Sequence, residues 1–297
     1  MIQRLCIIGV GLIGGSLARA LRNSDYVGEI IGCGRGKPNL EKAIELGVID
    51  RYTHDAAKAV DEADMVVVAT NLRTIPEVFS TIAPALSKSA LVTDVGSAKS
   101  EVIKAAEKNL GSAYARFIPG HPIAGTEKNG VEASFAELFS DHRVILTPSE
   151  QNAPADVQQV REMWMQTGAI VNEMTARTHD EVLAATSHLP HMVAFALVEC
   201  LSSMDDSAAI FDFAAGGFRD FTRIASSNPP MWCDIALENR DALLRQLNAF
   251  ESTLGELKRY LGEKDEGSLL SMFERAKTAR DSIEPNLPES TGKNIHK

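Results

Sequence analysis

Six residues, Gly9-Val10-Gly11-Leu12-Ile13-Gly14, restrict what this chain can fold into more than any others. They follow an apolar run that reads as a strand (residues 4–10) and precede a helical pattern (residues 13–22). Where a strand turns into a helix over this glycine spacing, each glycine has a physical task. The first allows the tight turn, the second lets a pyrophosphate approach the backbone, and the third lets the helix lie close to the strand. The start of the helix then offers free N–H groups and the positive end of its dipole to phosphate. Gly9, Gly11, Leu12, Ile13 and Gly14 are therefore candidate dinucleotide contacts, and Thr70, at the end of a later apolar run (residues 64–70), joins them.

The rest of the first half repeats the strand–helix theme. Strand candidates at residues 29–33, 64–70, 90–95, 116–118, 143–147 and 169–173 are interspersed with helical patterns such as those at 40–46, 74–86 and 100–108. A run such as Met65-Val66-Val67-Val68 is apolar on both faces, as a parallel strand covered on each side must be. The expected fold is an α/β N-terminal domain of the Rossmann type, doubly wound with a mostly parallel sheet, over residues 1–174. From about residue 176 the strand candidates stop, and helical patterns cover 178–204, 206–216, 230–261 and 268–282. An all-α C-terminal domain is expected over 175–284, followed by a disordered tail at 285–297. Two domains suit a length of 297 residues. Apolar residues from Ile235 through Leu247 and Leu254 to Leu261 spread wider than one packing face requires. A homodimer through these helices is the preferred reading, and packing within the domain is its rival.

Charge and cysteine content narrow the function classes. With 30 Lys and Arg against 40 Asp and Glu, the net charge is −10 and there is no clustered basic run, which argues against nucleic acid as a partner. The apolar stretch at residues 5–15 is broken by glycine and too short to span a bilayer, so no membrane partner is expected. Met1-Ile2-Gln3-Arg4 leads straight into it without a cleavage pattern, so no secretory signal is expected. The four cysteines lie far apart and form no disulfide framework, which reads as reduced and cytoplasmic. His54, His142 and His179 lack metal-ligand spacing and read as surface residues, so no metal is expected. Met163, Trp164 and Met165 read as helix core, and Glu263-Lys264-Asp265-Glu266 as a solvated turn between helices.

The end of the second strand bears on which dinucleotide is bound. NAD sites usually carry an acid there to hold the ribose hydroxyls. Here the segment is Gly32-Cys33-Gly34-Arg35-Gly36-Lys37, with no carboxylate before Glu41. Arg35 suits a 2′-phosphate and Lys37 adds charge, so the cofactor reading is NADP or NAD with NADP preferred. Arg35 as a solvated loop residue is the alternative.

Four further segments carry a resemblance. They are TDVGSAKS around Ser97, GHPIAGTEKNGVEAS from Gly120, SHLPHMVAFAL from Ser187 and GGFRDFTRIASSNPPMW from Gly216. Together with the Gly9 loop they resemble, in order and over nearly the whole chain, the prephenate dehydrogenase family, which includes the arogenate and cyclohexadienyl dehydrogenases of tyrosine biosynthesis. The resemblance implies NAD(P)-dependent oxidative decarboxylation of prephenate or arogenate, or both, to 4-hydroxyphenylpyruvate or tyrosine. It assigns His121 as the base that takes the proton of the ring hydroxyl, a role for a neutral imidazole near working pH, and it puts Ser97 beside the same hydroxyl. It gives the ring carboxylate to Arg223, whose planar guanidinium suits two-point contact; Arg219 is the rival, read as a surface or interface ion pair. Ser187 and His191, one helical turn apart, would contact substrate, and Pro190 between them predicts a kink. His188 is left between structural and functional readings. Thr126 and Trp232 would border the side-chain end of the pocket, with core packing as the rival for Trp232. Glu127 could favour the ammonium of arogenate by its charge.

About 36 residues follow Leu261 and the glycine loop begins at residue 9, so neither a regulatory domain nor a fused chorismate mutase is expected. Two rivals differ in class. One is a related β-hydroxyacid dehydrogenase or imine reductase, which would rely on a helix-borne Lys or Asp where this chain has a loop-borne His121. The other is a non-catalytic dinucleotide sensor, which would need none of His121, Ser97 and Arg223 together.

Overall fold

The structure is a computed structural model that describes residues 1–126 and 128–283. Glu127 and the tail 285–297 lie outside the described residues. Six parallel strands form the first sheet: β1 (Ile2–Ile8), β2 (Val27–Cys33), β3 (Arg51–Thr53), β4 (Met65–Val68), β5 (Leu91–Asp94) and β6 (Phe117–Ile118). Their spatial order is β3-β2-β1-β4-β5-β6, the order of dinucleotide-binding sheets, with the direction of winding reversing between β1 and β4. The expected α/β fold of the N-terminal half is thus present. Strand β3 went unannounced because Arg51-Tyr52-Thr53 is short and not an apolar run.

Helices α1 (Leu12–Asn23), α2 (Lys37–Glu45), α3 (Ala56–Val60), α4 (Ile75–Ile82), α5 (Ser100–Asn109) and α6 (Pro154–Met165) cover the sheet. The strands are apolar throughout because alternate residues enter different cores. Leu5 and Ile7 of β1 join Met65 and Val67 of β4 in a core with Leu17, Leu40 and Trp164 from α1, α2 and α6. Cys6, Ile8, Val66 and Val68 face the other way, toward Ile75, Phe79 and Val102 of α4 and α5. Each buried aliphatic or Phe side chain contributes about 1.5–3 kcal/mol, so neither face can be left uncovered. Met163 and Trp164 are fully buried, but Met165 is 54% exposed and does not belong to the core. At about 100° per residue, three consecutive positions cannot all face one sheet.

A second sheet was not foreseen. Strands β7 (Gly120–Pro122), β8 (Arg143–Leu146) and β9 (Ile170–Glu173) form it, with β7 antiparallel and β9 parallel to β8. The runs at 143–147 and 169–173 therefore do not extend the parallel sheet. β6 is only two residues long, and Pro119 has no N–H to continue its ladder, so pairing begins afresh at Gly120. His121, read as a loop residue, is consequently a strand residue opposite Ile145.

Beyond β9 the described chain is helical: α7 (Ala176–Leu183), α8 (Leu189–Ser202), α9 (Ser207–Asp212), α10 (Gly216–Thr222), α11 (Pro229–Glu238), α12 (Arg240–Glu263) and α13 (Glu266–Ile283). A π turn, Ala184–His188, joins α7 to α8 and takes up the irregularity announced by Pro190. The pattern at 230–261 is broken at Asn239, whose buried amide bonds other segments instead of extending the helix. The run Ala176–Ser202 is long and apolar enough, by length and composition alone, to cross a membrane, although it carries buried His179, Asp180 and His188.

By its contacts the chain divides into two compact units, Met1–Leu243 and Leu244 onward. In the second unit, α12 and α13 meet at a turn where Lys264 has φ +54° and Asp265 Oδ1 accepts from the Ser268 N–H at 3.0 Å. The charge run at 263–266 is that turn. Helix α13 buries no residue, and Leu261 and Phe273 are exposed.

Candidate active site

The three glycines of the first turn are needed for different reasons. Gly9 has φ +102°, and a Cβ there would stand 2.3 Å from the Ala69 carbonyl oxygen. A Cβ at Gly14 would stand 2.3 Å from the Gly9 carbonyl oxygen and 2.9 Å from Ile7 Cγ2. Gly11 has nothing within 4 Å of that position: its space is open toward a ligand. Helix α1 has no side-chain cap and no acid in its first turn, so the amides at Leu12 and Ile13 are suited to an anion. Two cavities of about 570 and 590 Å³ share Gly11, Ala69, Thr70 and Asn71. The Thr70 Oγ1 is buried there without a partner among the described residues. An open cradle, an uncapped helix and an orphaned hydroxyl fit a dinucleotide pyrophosphate.

Exposed Arg35 lines the second cavity, at the end of β2, as does His54, whose Nδ1 lies 2.7 Å from the Gly34 carbonyl oxygen. Lys37 instead pairs with Glu41 and is absent from that lining.

The first cavity gathers His121, Ser97, Arg223, Ser187, His191, Thr126 and Trp232 on its walls. His121 is 7% exposed, and burial is the main reason its imidazole sits well below the usual range, with His179, Lys99 and His188 adding to it. His191 stacks on Trp232 with ring centres 3.6 Å apart, and its Nδ1 lies 2.9 Å from the Ser187 carbonyl oxygen. Burial lowers the His191 imidazole as well, with a contribution from the charge of Arg223, which is exposed in the turn after α10. Trp232 is both buried and cavity-lining, and its indole N–H has no partner among the described residues. Arg219 is not part of the wall, whereas Lys128 supplies a second cation.

His188 is 1% exposed. Its Nδ1 accepts from Asn239 Nδ2 at 3.1 Å, while a bond to the Ser97 backbone raises its imidazole against the stronger effect of burial, which takes it down to about 4. With bonds on both sides of its ring, it links the Ser97 segment to Asn239 at the end of α11.

Four residues that matter to this geometry have no part in the site as read from the sequence. Asp94 and Lys99 form a fully buried ion pair at 2.5 Å that grips the backbone of Gly120 from both sides. Lys99 Nζ donates to its carbonyl oxygen (2.8 Å), and Asp94 Oδ1 accepts from its N–H (3.2 Å). The pair thereby fixes the strand bearing His121. Both lie in the DVGSAK segment, in which the family resemblance gives a role to Ser97 alone. His179, read as a surface residue, is fully buried; its Nε2 lies 2.8 Å from His121 Nδ1 and its Nδ1 lies 2.8 Å from Asp180 Oδ1. The available signal was the His-Asp dipeptide in the helical stretch that also holds Ser187. Among the described residues, no group of three or more His, Cys, Asp or Glu could hold a metal ion.

Residues 17–173 match the family described as "Prephenate dehydrogenase, nucleotide-binding domain", and residues 175–275 match "Prephenate dehydrogenase, dimerization domain". The chain belongs to the prephenate dehydrogenase family. It is 39% identical over 282 residues to the cyclohexadienyl dehydrogenase of Zymomonas mobilis, covering 94% of this chain and 95% of that one. It is 36% identical to the prephenate dehydrogenase of Bacillus subtilis, over 95% of this chain and 76% of the relative. Among solved structures, the prephenate dehydrogenase of Aquifex aeolicus in complex with hydroxyphenyl propionate and NAD+ superposes with a TM-score of 0.90. That protein is 40% identical, with 95% of this chain and 99% of the other covered. The arogenate dehydrogenase of Synechocystis gives a TM-score of 0.80 at 29% identity, covering 95% and 100%.

Proposed function

We propose that this family member catalyses the NAD(P)-dependent oxidative decarboxylation of prephenate, arogenate or both, in tyrosine biosynthesis. The observation that carries the reading is the neutral, buried imidazole of His121 on a cavity wall shared with Ser97 and Arg223, next to the glycine cradle. The names of the relatives, cyclohexadienyl, prephenate and arogenate dehydrogenase, support the same reaction.

Gly9, Gly11, Leu12, Ile13, Gly14 and Thr70 would hold the dinucleotide, which when bound supplies the hydride acceptor. His121 accepts the proton of the hydroxyl on the carbon that is oxidised, which a neutral imidazole can do and an imidazolium cannot. Ser97 orients that hydroxyl. Arg223 holds the ring carboxylate, and Lys128 gives the wall a second positive charge for a dianionic substrate. Ser187 and His191 contact substrate, while Thr126 and Trp232 border the side-chain end of the pocket. Loss of CO₂ makes the ring aromatic, so the site needs no strong acid; its task is to hold the substrate in register.

In this reading residues 1–174 bind the dinucleotide and 175–284 carry substrate contacts and pair two copies of the chain. The description of residues 175–275 as a dimerization domain and the exposed Leu261, Leu270 and Phe273 support that pairing.

The deciding experiment is reduced-dinucleotide formation with prephenate or arogenate, each with NAD or NADP. Turnover in any combination establishes the reaction. Its absence in all four, with folded protein and bound dinucleotide, removes the substrate assignment. The lack of an acid after β2 and the exposed Arg35 favour NADP, whereas the Aquifex aeolicus relative is described with NAD+. Arg35→Ala is expected to raise the KM for NADP about 10-fold or more, the size of one charge-assisted contact, while changing that for NAD little. Equal changes for both would show that Arg35 does not read the 2′-phosphate.

A further inference from the structure

His121 is backed by a line of hydrogen bonds that proton abstraction alone does not call for. Asp180 ends the line. Its Oδ1 accepts from the Lys99 N–H and lies 2.8 Å from His179 Nδ1, and its Oδ2 accepts from the Ser100 N–H. Burial works to raise its carboxyl, but these bonds outweigh it and hold the group below the usual range, at the amino end of α5. Lys99 Nζ is occupied by Asp94 and the Gly120 carbonyl, so it sends no proton into the line.

The direction of each bond then follows. A carboxylate can only accept, so the proton between Asp180 and His179 is on His179 Nδ1. Burial lowers the His179 imidazole below its usual range, against the raising effect of Asp180, so the ring is neutral near pH 7; a neutral imidazole has one N–H, which leaves His179 Nε2 as an acceptor. The bond of 2.8 Å between His179 Nε2 and His121 Nδ1 must therefore be donated by His121. We propose that Asp180 and His179 form a positioning relay that keeps the His121 proton on Nδ1 and so leaves Nε2 as the lone acceptor for the substrate hydroxyl. The inference rests on the reading of His121 as the base. In the proton step the hydroxyl O–H bond breaks and an Nε2–H bond forms. His121 becomes an imidazolium that still donates from Nδ1 to His179, with the Asp180 charge behind it. The logic is that of the acid behind a catalytic histidine, with a second imidazole interposed.

The test starts with the wild-type full-length chain, whose ¹⁵N-labelled histidines report which nitrogen of His121 carries the proton near pH 7. A proton on Nδ1 is expected. A proton on Nε2, or exchange between both nitrogens, overturns the proposal whether or not the substrate assignment holds. Kinetics add a second arm, with the better substrate and dinucleotide from the four-way assay. His179→Leu is expected to lower kcat about 10- to 100-fold with both KM values nearly unchanged. His179→Gln, whose amide oxygen can still accept from His121 Nδ1, is expected to recover most of that loss. Asp180→Asn can donate to His179 and turn the line around, so it is expected to fall at least as far as His179→Leu. Wild-type kcat in His179→Leu, or no recovery in a folded His179→Gln, would count against the relay. Lack of turnover by the wild type with either substrate would instead remove the proposed reaction and leave the tautomer measurement standing.

Discussion

Replacing His121 with Asn is expected to lower kcat by about 10²–10⁴-fold, the usual scale for losing a positioned general base. Affinity for the dinucleotide, measured by titration without substrate, is expected to stay close to wild type, because the glycine cradle and Thr70 are untouched by the change. Asn keeps a polar side chain on β7 but cannot accept a proton. The pH dependence carries a second expectation. Burial, His179, Lys99 and His188 all disfavour the charged form of His121, so its folded pKa lies below the ordinary imidazole value. The base form therefore persists as pH falls through about 6.5, and the acid limb of kcat/KM lies below that point. A limb centred at or above the ordinary value, or near-wild-type turnover by His121→Asn, refutes the role.

Arg223→Ala is expected to lower kcat/KM by roughly 10- to 150-fold, the equivalent of about 1.5–3 kcal/mol for hydrogen bonds to a charged group. The loss is expected mainly in substrate KM, since the contact proposed for Arg223 would hold the carboxylate both before and during reaction. Arg223→Lys is expected to recover only part of it, because an ammonium cannot reproduce planar two-point contact. Arg219→Ala is the matched control: Arg219 lies outside the cavity wall, so its removal is expected to leave kcat/KM within about 2-fold, as remote surface changes usually do. Comparable losses in both variants would assign Arg223 a general electrostatic part and not a carboxylate contact.

Much of this was legible in the chain because it depends on local chemistry. A glycine turn between a strand and a helix constrains its own backbone, so Gly9, Gly11 and Gly14 were readable, and the structure supplies the distances. Runs such as Met65-Val66-Val67-Val68 announce strands buried on both faces, and alternate residues do enter two cores. The second sheet was hidden because Gly120-His121-Pro122 is too short and irregular for strand periodicity; it pairs through its backbone with Arg143–Leu146. The continuous helical pattern at 230–261 concealed a break, because Asn239 is turned inward by hydrogen bonds to Asp180 and His188, residues more than 50 positions earlier.

The doubly wound sheet, the dinucleotide turn and, through family resemblance, the residues gathered around the first cavity are all legible in the chain alone. Which groups stand behind them is settled by packing. His179 looks like any helix-borne histidine until α7 packs it between His121 and Asp180, and Asp94 and Lys99 look like ordinary charges until both are sealed from water. Hydrophobic periodicity records which residues leave water. It carries no record of which buried polar groups meet: even near neighbours such as Asp94 and Lys99, or His179 and Asp180, acquire their role only when Gly120 and His121 are brought against them from another segment.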